Sequence, residues 1–323
     1  MPTPTTAIQR PDLGVVAYEY LTEDKRQRFI GLEAMPIFNT QLQTANFTKL
    51  PAEAMLSTYD TKRASRSAYN QSDYNFEQDN YACEEHGWEE TIDDRERKKF
   101  RYMFDAEVVA TRRAMKIIKR NHEIRVATAL FNTSTFSNAE VTTEWSTGAT
   151  ATPRKDVTIT GRNAFKALGG LLPNAGICSD VVFQYLINTD EVRDALGYTN
   201  PVEMGGFEAQ VKMMEVYLGL DKLLVGGGTK STAKKGQDLV IADIWDDEYF
   251  MLAKIDDDDL DMEEPQLGRT MIWAEDSGDD EYSLIVESYR DESKRGDVIR
   301  VRHDLTEKVL NKSAGYLLTN ISA

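Results

Sequence analysis

Glu287-Ser-Tyr-Arg-Asp-Glu-Ser-Lys-Arg-Gly-Asp-Val-Ile-Arg-Val-Arg-His303 is the stretch on which the reading of this chain turns. Val298 to His303 alternates apolar residues with Arg300 and Arg302, the period-two pattern of a half-buried strand, and Tyr282 to Tyr289 is β-rich on the other side. Between them Asp291-Glu-Ser-Lys-Arg-Gly296 is polar and ends in glycine, so hairpin geometry predicts an exposed tip. Arg290, Lys294 and Arg295 stand there against Asp291, Glu292 and Asp297. The plain reading is a solvated turn, whose surface ion pairs are worth about 0–1 kcal/mol.

Upstream, residues 94–131 place Phe100, Met103, Phe104, Val108, Ala110, Ala114, Ile117, Ile118, Ile124, Ala127 and Leu130 at three- and four-residue spacing, with no Pro or Gly inside. Unbroken, such a helix would run roughly 57 Å, longer than one ordinary core needs, so a spine is predicted. Before it, residues 46–92 scatter Phe47, Tyr59, Tyr69, Tyr74, Phe76, Tyr81 and Trp88 among polar residues with too little aliphatic material for a core. A structureless loop of this length is uncommon in a compact domain. A two-stranded flap whose aromatics (Tyr69, Tyr74 and Phe76 above all) pack on a neighbouring subunit explains the pattern better, with Tyr74 to Cys83 one of its strands. Residues 1–45, with prolines at 2, 4 and 11, read as an arm.

Residues 153–225 mix helix and strand. Asp156 to Leu168 reads as a helix, Gly176 to Val182 as a buried strand, Phe183 to Leu196 as a helix stopping near Gly197, and Phe207 to Leu218 as another stopping at Gly219. Strand-like runs follow at 223–225, 239–245, 249–254, 270–273 and near the C-terminus. Without a regular βαβ rhythm or an internal repeat, the expected class is α+β.

The sequence has 323 residues and a net charge of −16. Residues 238–297 hold 21 Asp and Glu against 5 Lys and Arg, a net −16 equal to that of the whole chain, whereas residues 93–125 carry 11 Lys and Arg against 6 Asp and Glu. An acidic balance argues against sequence-reading nucleic-acid binding, which needs a basic footprint. It permits pairing of a basic patch on one copy with an acidic patch on another. Two cysteines, Cys83 and Cys178, exclude a disulfide scaffold and cannot alone make a four-ligand zinc site. No apolar run reaches the roughly 18–20 residues needed to span a bilayer, and the N-terminus lacks signal-peptide regions, so a soluble cytoplasmic protein is expected.

Gly226-Gly-Gly-Thr-Lys-Ser231 invites comparison with a phosphate-binding loop, but Thr229 stands where Gly should precede the lysine and the upstream glycine is out of frame. A flexible connection from Gly226 to Gly236 is the simpler reading. Asp256-Asp-Asp-Asp-Leu-Asp261 lacks the EF-hand's glycine and its closing glutamate, leaving a solvated acidic turn. Cys83 and His86 lie close together with no further strong zinc ligand beside them, and three histidines without a nucleophile motif give no catalytic set. No catalytic residue, cofactor or metal ligand is assigned.

The order of these parts resembles the major capsid (coat) proteins of tailed double-stranded DNA bacteriophages over nearly the full length. The hairpin ending Asn80-Tyr-Ala-Cys-Glu-Glu-His-Gly-Trp-Glu-Glu-Thr-Ile-Asp-Asp94 is similar to that family's extended E-loop, and the helix from about Arg95 to its P-domain spine. Leu172-Pro-Asn-Ala-Gly-Ile-Cys-Ser-Asp-Val-Val-Phe183, Asn188-Thr-Asp-Glu-Val-Arg-Asp-Ala-Leu-Gly-Tyr198, Leu218-Gly-Leu-Asp-Lys-Leu-Leu-Val-Gly226 and Glu263-Glu-Pro-Gln-Leu-Gly-Arg-Thr-Met-Ile-Trp273 are similar to its A-domain. Glu287 to His303 resembles the P-domain hairpin, and Ala314 to Ile321 a strand returning to the A-domain.

The resemblance implies an α+β capsid fold divided as 1–45 N-terminal arm, 46–92 E-loop, 93–150 spine helix and flank, 151–274 A-domain, 275–310 P-domain hairpin and 311–323 returning strand. It implies a structural, non-enzymatic protein that self-assembles as hexamers and pentamers into an icosahedral head, with the tip residues Arg290, Asp291, Glu292, Lys294 and Arg295 meeting between capsomers. Implied partners are further copies of the chain, a separate scaffolding protein (nothing before the arm would serve as a fused one), a portal protein, decoration proteins, and packaged DNA contacted non-specifically. The implied location is the virion, assembled in the host cytoplasm. Two rivals stay open: the shell of an encapsulin-type nanocompartment, and a cytoplasmic nucleotide-binding enzyme acting through Gly226 to Ser231.

Overall fold

The computed structural model describes residues 8–9, 28–49, 51, 56–63, 65–73, 75–100, 105–197, 205–234, 236–256, 265–278 and 281–322. Its first elements are the short strand β1 (Ile8–Gln9), one helical turn α1 (Gly31–Ala34), β2 (Ile37–Thr40), and the hairpin strands β3 (Thr44–Lys49) and β4 (Glu77–Ala82). Only Cys83 separates β4 from β5 (Glu84–Asp93), so the outgoing arm of the hairpin runs almost unbroken into the body.

The predicted spine folds as α2 (Asp94–Phe100) and α3 (Ala106–Leu130), and positions 101–104 between them, with the expected apolar contacts of Met103 and Phe104, lie outside the described residues. Asp105 caps α3 by accepting a hydrogen bond from the Glu107 amide at 3.0 Å, which satisfies one of the free N–H groups of the first turn. Along α3 the buried residues are Thr111, Ala114, Met115, Ile118, Lys119, His122, Glu123, Val126, Ala127 and Leu130, one continuous stripe at three- and four-residue steps. That stripe serves two different sheets, which accounts for a helix about 37 Å long.

Its first half covers the sheet ordered β1–β13–β14–β12–β2, built from β12 (Gly268–Trp273), β13 (Ile285–Asp291) and β14 (Gly296–Val309), with β5 also paired to β14. The expected charged hairpin is β13 and β14, paired antiparallel from Asp291↔Gly296 to Ile285↔Arg302. The opposite edge of β14 pairs with β5 from Gly296↔Asp93 to Leu305↔Glu84, and β12 continues beside Leu305 to Val309. Ala114, Met115 and Ile118 of α3 pack there on Ile92, Val286, Ile299 and Val301.

The second half of α3 lies on the other sheet, ordered β6–β15–β11–β7–β8: β6 (Ser137–Glu140), β7 (Ala175–Ser179), β8 (Lys222–Gly226), β11 (Phe250–Ala253) and β15 (Gly315–Thr319). Val126, Ala127 and Leu130 meet Ile177, Leu224, Met251 and Leu317 on one face. Cys178, Leu223, Val225, Phe250, Leu252 and Leu318 point to the other. A second helical layer covers that face: α4 (Arg162–Gly169), α5 (Asp180–Asn188), α6 (Asp190–Leu196) and α7 (Phe207–Leu218). Strands apolar on both faces are what a sheet sandwiched between helices requires.

Some local readings shift. The expected strand to Val182 ends at Ser179, whose hydroxyl accepts from the Val182 amide at 3.2 Å and starts α5. The expected helix 183–196 breaks at Thr189 into α5 and α6. The helix expected from Asp156 begins at Pro153 and widens into a π-turn over Asp156–Gly161, where Asp156 accepts from the Trp145 indole at 3.1 Å. The expected stops at Gly197 and Gly219 are both left-handed caps.

Candidate subunit-contact surfaces

The β13–β14 tip is braced from below. Arg290 donates to both oxygens of Asp94 at 2.7 Å, and also reaches Glu292 at 3.3 Å and Asp297 at 3.4 Å. The hydrogen bonds from Arg290 hold the Asp94 carboxyl below its ordinary range, and those same bonds raise the guanidinium. Gly296 lies so close to β5 that a Cβ would stand 2.3 Å from the Ile92 carbonyl oxygen, so no other residue fits without moving a strand. Arg290 is thus engaged within its own subunit. Asp291 accepts from the Ser293 hydroxyl and amide and pairs with Lys294 at 3.5 Å. Glu292, Lys294 and Arg295 are exposed, and Arg295 occupies a left-handed conformation (φ 47°) at the outermost turn. The five residues named from sequence therefore divide into an internal brace and an outward-facing group.

The flap is an antiparallel pair, β3 with β4, in register from Thr44↔Ala82 to Lys49↔Glu77. The strand expected from Tyr74 begins at Glu77, and Tyr74 itself lies outside the described residues. Beyond the pair, the described positions of 56–73 are all exposed. Tyr69 is 71% exposed and carries the Arg63 guanidinium 4.6 Å over its ring, while Phe76, Tyr59 and Leu56 are exposed as well. At the root, Asp79 bridges Lys49 of β3 and Lys308 of β14. Partial burial would raise that carboxyl, but its bonds to Lys308 and Lys49 outweigh it and hold it well below the carboxylate range. A small apolar cluster of Cys83, Met271 and Leu310, with Phe38, Phe47, Tyr81 and Trp273 against it, seats the root on the first sheet.

A second projection was only partly legible. β9 (Thr229–Ser231) and β10 (Ile241–Asp243) form a two-stranded finger, and Leu239, Val240 and Ile241 lie on it 72%, 54% and 65% exposed. Three consecutive apolar residues in water are not explained by the subunit's own core. The signal was present in the sequence as Leu239-Val-Ile241, but an apolar run of that length reads equally as buried strand. The glycines before the finger are packing devices: a Cβ at Gly226 would fall 2.2 Å from the Trp245 ring, and one at Gly228 2.8 Å from Phe29. Lys230 and Ser231 pair with Ala242 and Ile241 in the finger, so no helix N-terminus follows them to receive a phosphate.

Glu123 fixes the junction of the parts. Its carboxylate accepts from the Ile30 amide at 2.9 Å, the Gly31 amide at 2.7 Å and the Trp245 indole at 2.6 Å, tying α1, α3 and the finger's base together. Burial pushes this carboxyl up to about 7 against the pull of those three donors. Cys83 and Cys178 are buried free thiols, both raised by burial. Cys83 packs with Met271 while His86 faces His303, so the two are not brought together as ligands. Among the described residues no cluster of His, Cys, Asp and Glu has the geometry to hold a metal, and no helix is long and apolar enough to cross a membrane. Asp257 to Asp261 lie outside the described residues.

Two sheets bridged by one helix, a flap that prolongs a sheet strand, and a braced charged hairpin define a class of protein: the chain has the α+β fold of the tailed-phage major capsid proteins and of related shell subunits. It is similar to a phage-related protein from Bordetella bronchiseptica, at 19% identity and a TM-score of 0.70 over 98% of each chain. It is also similar to the capsid of Myoviridae phage XM1 (9% identity, TM-score 0.55, 90% of this chain and 92% of that one). A third likeness is to the SrpI encapsulin of Synechococcus elongatus (10% identity, TM-score 0.53, 99% and 92%). No protein-family model and no curated protein matches the sequence.

Proposed function

We propose that this chain is a structural major capsid protein that self-assembles into the icosahedral head enclosing a phage's double-stranded DNA. The observation that carries it is that a fold shared with capsid subunits presents two projections, the flap and the 229–243 finger, whose aromatic and aliphatic side chains are largely exposed. Large obligate interfaces bury 2,000 Å² or more, and heterologous contacts that close by symmetry make rings and shells. In this reading 1–45 is the arm, 46–92 the E-loop, 93–150 and 275–310 the P-domain, and 151–274 with 311–323 the A-domain. Glu292, Lys294 and Arg295 at the tip meet other capsomers, and Tyr69, Tyr74 and Phe76 lie on a neighbour. A scaffolding protein, a portal and decoration proteins complete the assembly in the host cytoplasm, and the acidic subunit touches packaged DNA without sequence preference.

The test is to express the full chain, purify it and image it by electron microscopy. Closed shells are expected. Particles that form only around a protein cargo and never with nucleic acid or a portal would assign the chain to a nanocompartment. Monomers or small oligomers under all assembly conditions would overturn the proposal.

A further inference from the structure

The sequence contains three histidines, and the fold brings all three to one place. His86 of β5 and His303 of β14 are direct cross-strand partners with ring centroids 5.9 Å apart. His122 of α3 comes down on the same sheet, its Nε2 3.6 Å from a Glu307 oxygen and its ring edge-on to Tyr282 at 5.6 Å. It is fully buried, and neither ring nitrogen makes a hydrogen bond; Nε2 of His303 is equally unsatisfied. The His303 Nδ1 lies 3.3 Å from the Tyr282 carbonyl oxygen.

The charges around the rings decide what a proton does there. From α3 come Arg125, which donates to both oxygens of Glu307 at 2.9 and 3.1 Å, and Lys119, whose ammonium sits 4.5 Å over the Tyr282 ring. From β14 comes Glu307, and from β5 Glu84, which acts on His86 from the exposed edge. From α1 come the Gly31 backbone, where a Cβ would stand 3.3 Å from His122 Nδ1, and Glu33, which acts on the adjoining Glu123 carboxyl. Arg302 and Asp304 flank His303 in sequence and, by strand alternation, face the other side, where they pair with each other at 3.5 Å. Glu307, the carboxylate whose oxygen lies 3.6 Å from His122 Nε2, is thus already matched by Arg125. A first proton on His122 must share that partner with Arg125, and a second meets like charge in a buried site. Burial first, then Arg125 and the neighbouring rings, hold His303 down at about 3 and His122 well below the ordinary range.

We propose that this crossing of α3 over β5 and β14 is a proton-sensitive joint, closed while the three rings are neutral and opened in acidic solution, releasing α1 and its neighbours 29–35 from the spine helix. The coupling is direct, because Glu123, next to His122, holds the amides of Ile30 and Gly31. The inference concerns the isolated subunit and is independent of the shell reading.

The experiment is hydrogen exchange by mass spectrometry on the full-length subunit from pH 8 to 4, with rates corrected for intrinsic pH dependence. Peptides covering 29–35 and 117–127 should lose protection at least tenfold below about pH 5, while those covering β11 and β15 stay protected. His303→Gln should move that transition at least half a pH unit toward acid and make it shallower. Half-buried His86→Gln, which perturbs packing less, should shift it in the same direction and serves where His303→Gln does not fold. Three results would overturn the joint: an unchanged midpoint in both variants, simultaneous loss of protection in β11 and β15, or disappearance of the transition in Glu123→Gln alone.

Discussion

Glu123→Gln is the substitution whose consequences can be worked furthest. The carboxylate satisfies three buried donors, the Ile30 and Gly31 amides and the Trp245 indole, and sits on the seam between helix and finger base. An amide of the same shape keeps one accepting oxygen, but where the protonated carboxyl of acidic solution has a hydroxyl oxygen that can still accept, the amide turns an NH2 group toward a donor. The loss is one buried hydrogen bond with its partner left unsatisfied, about 1–3 kcal/mol. pH then acts on the wild type and not on the variant. The folded carboxyl titrates at about 7 against an ordinary 4.5, so its contribution to stability is complete below 4.5 and is lost as pH rises through 7. At 1.36 kcal/mol per pH unit, that loss is about 3 kcal/mol across the range. Urea unfolding at pH 5, 6, 7 and 8, followed by tryptophan fluorescence and far-ultraviolet dichroism, should show the variant weaker at pH 5 by about 1–3 kcal/mol. The gap should close by a further pH-dependent amount of about 2–3 kcal/mol at pH 8, leaving the two level or the variant ahead. A gap that is constant with pH, or that widens as pH rises, would refute the reasoning.

Replacing Lys294 and Arg295 together by glutamate should leave the subunit's melting temperature within about 2 °C, since both project from the tip, yet stop shell formation at low ionic strength; normal shells in electron micrographs would reduce the tip to a turn. Deleting 56–73 removes only exposed described positions, so a soluble, cooperatively melting subunit that no longer closes into shells is expected in calorimetry and micrographs. Phe250→Ala should cost about 3–5 kcal/mol in chemical denaturation, because the ring is fully buried with its centroid 5.4 Å from that of Trp145.

What was legible in the sequence followed from period. The α3 stripe and the β13–β14 alternation are one-dimensional patterns, and both elements stand where those patterns put them. Val182 misled because Ile177 to Val182 is apolar enough for a strand; the competing signal, Ser179 followed by Asp180 at a helix start, is short and local. Gly226 to Gly228 read as a flexible linker because sequence does not distinguish a glycine kept for freedom from one kept to admit Trp245. The histidine joint was invisible for a different reason. His86, His122 and His303 meet only because β5 and β14 pair in one particular register and α3 crosses them there, and no local pattern encodes a register. The brace on Arg290 has the same origin, since Asp94 lies 196 positions away.

The near-continuity of β4 and β5 through Cys83 makes the flap a lever. Residues 77–93 run extended over roughly 55 Å, clamped along one half by β14 and held along the other by β3, the Asp79 bridge and the apolar cluster at the root. A tilt of about 5° at the clamp moves the far end of the paired flap, about 20 Å out, by nearly 2 Å. Traffic runs the other way as well: a partner that grips the flap applies torque to the strand bearing His86, and the clamp rather than the flap sets how far that torque travels.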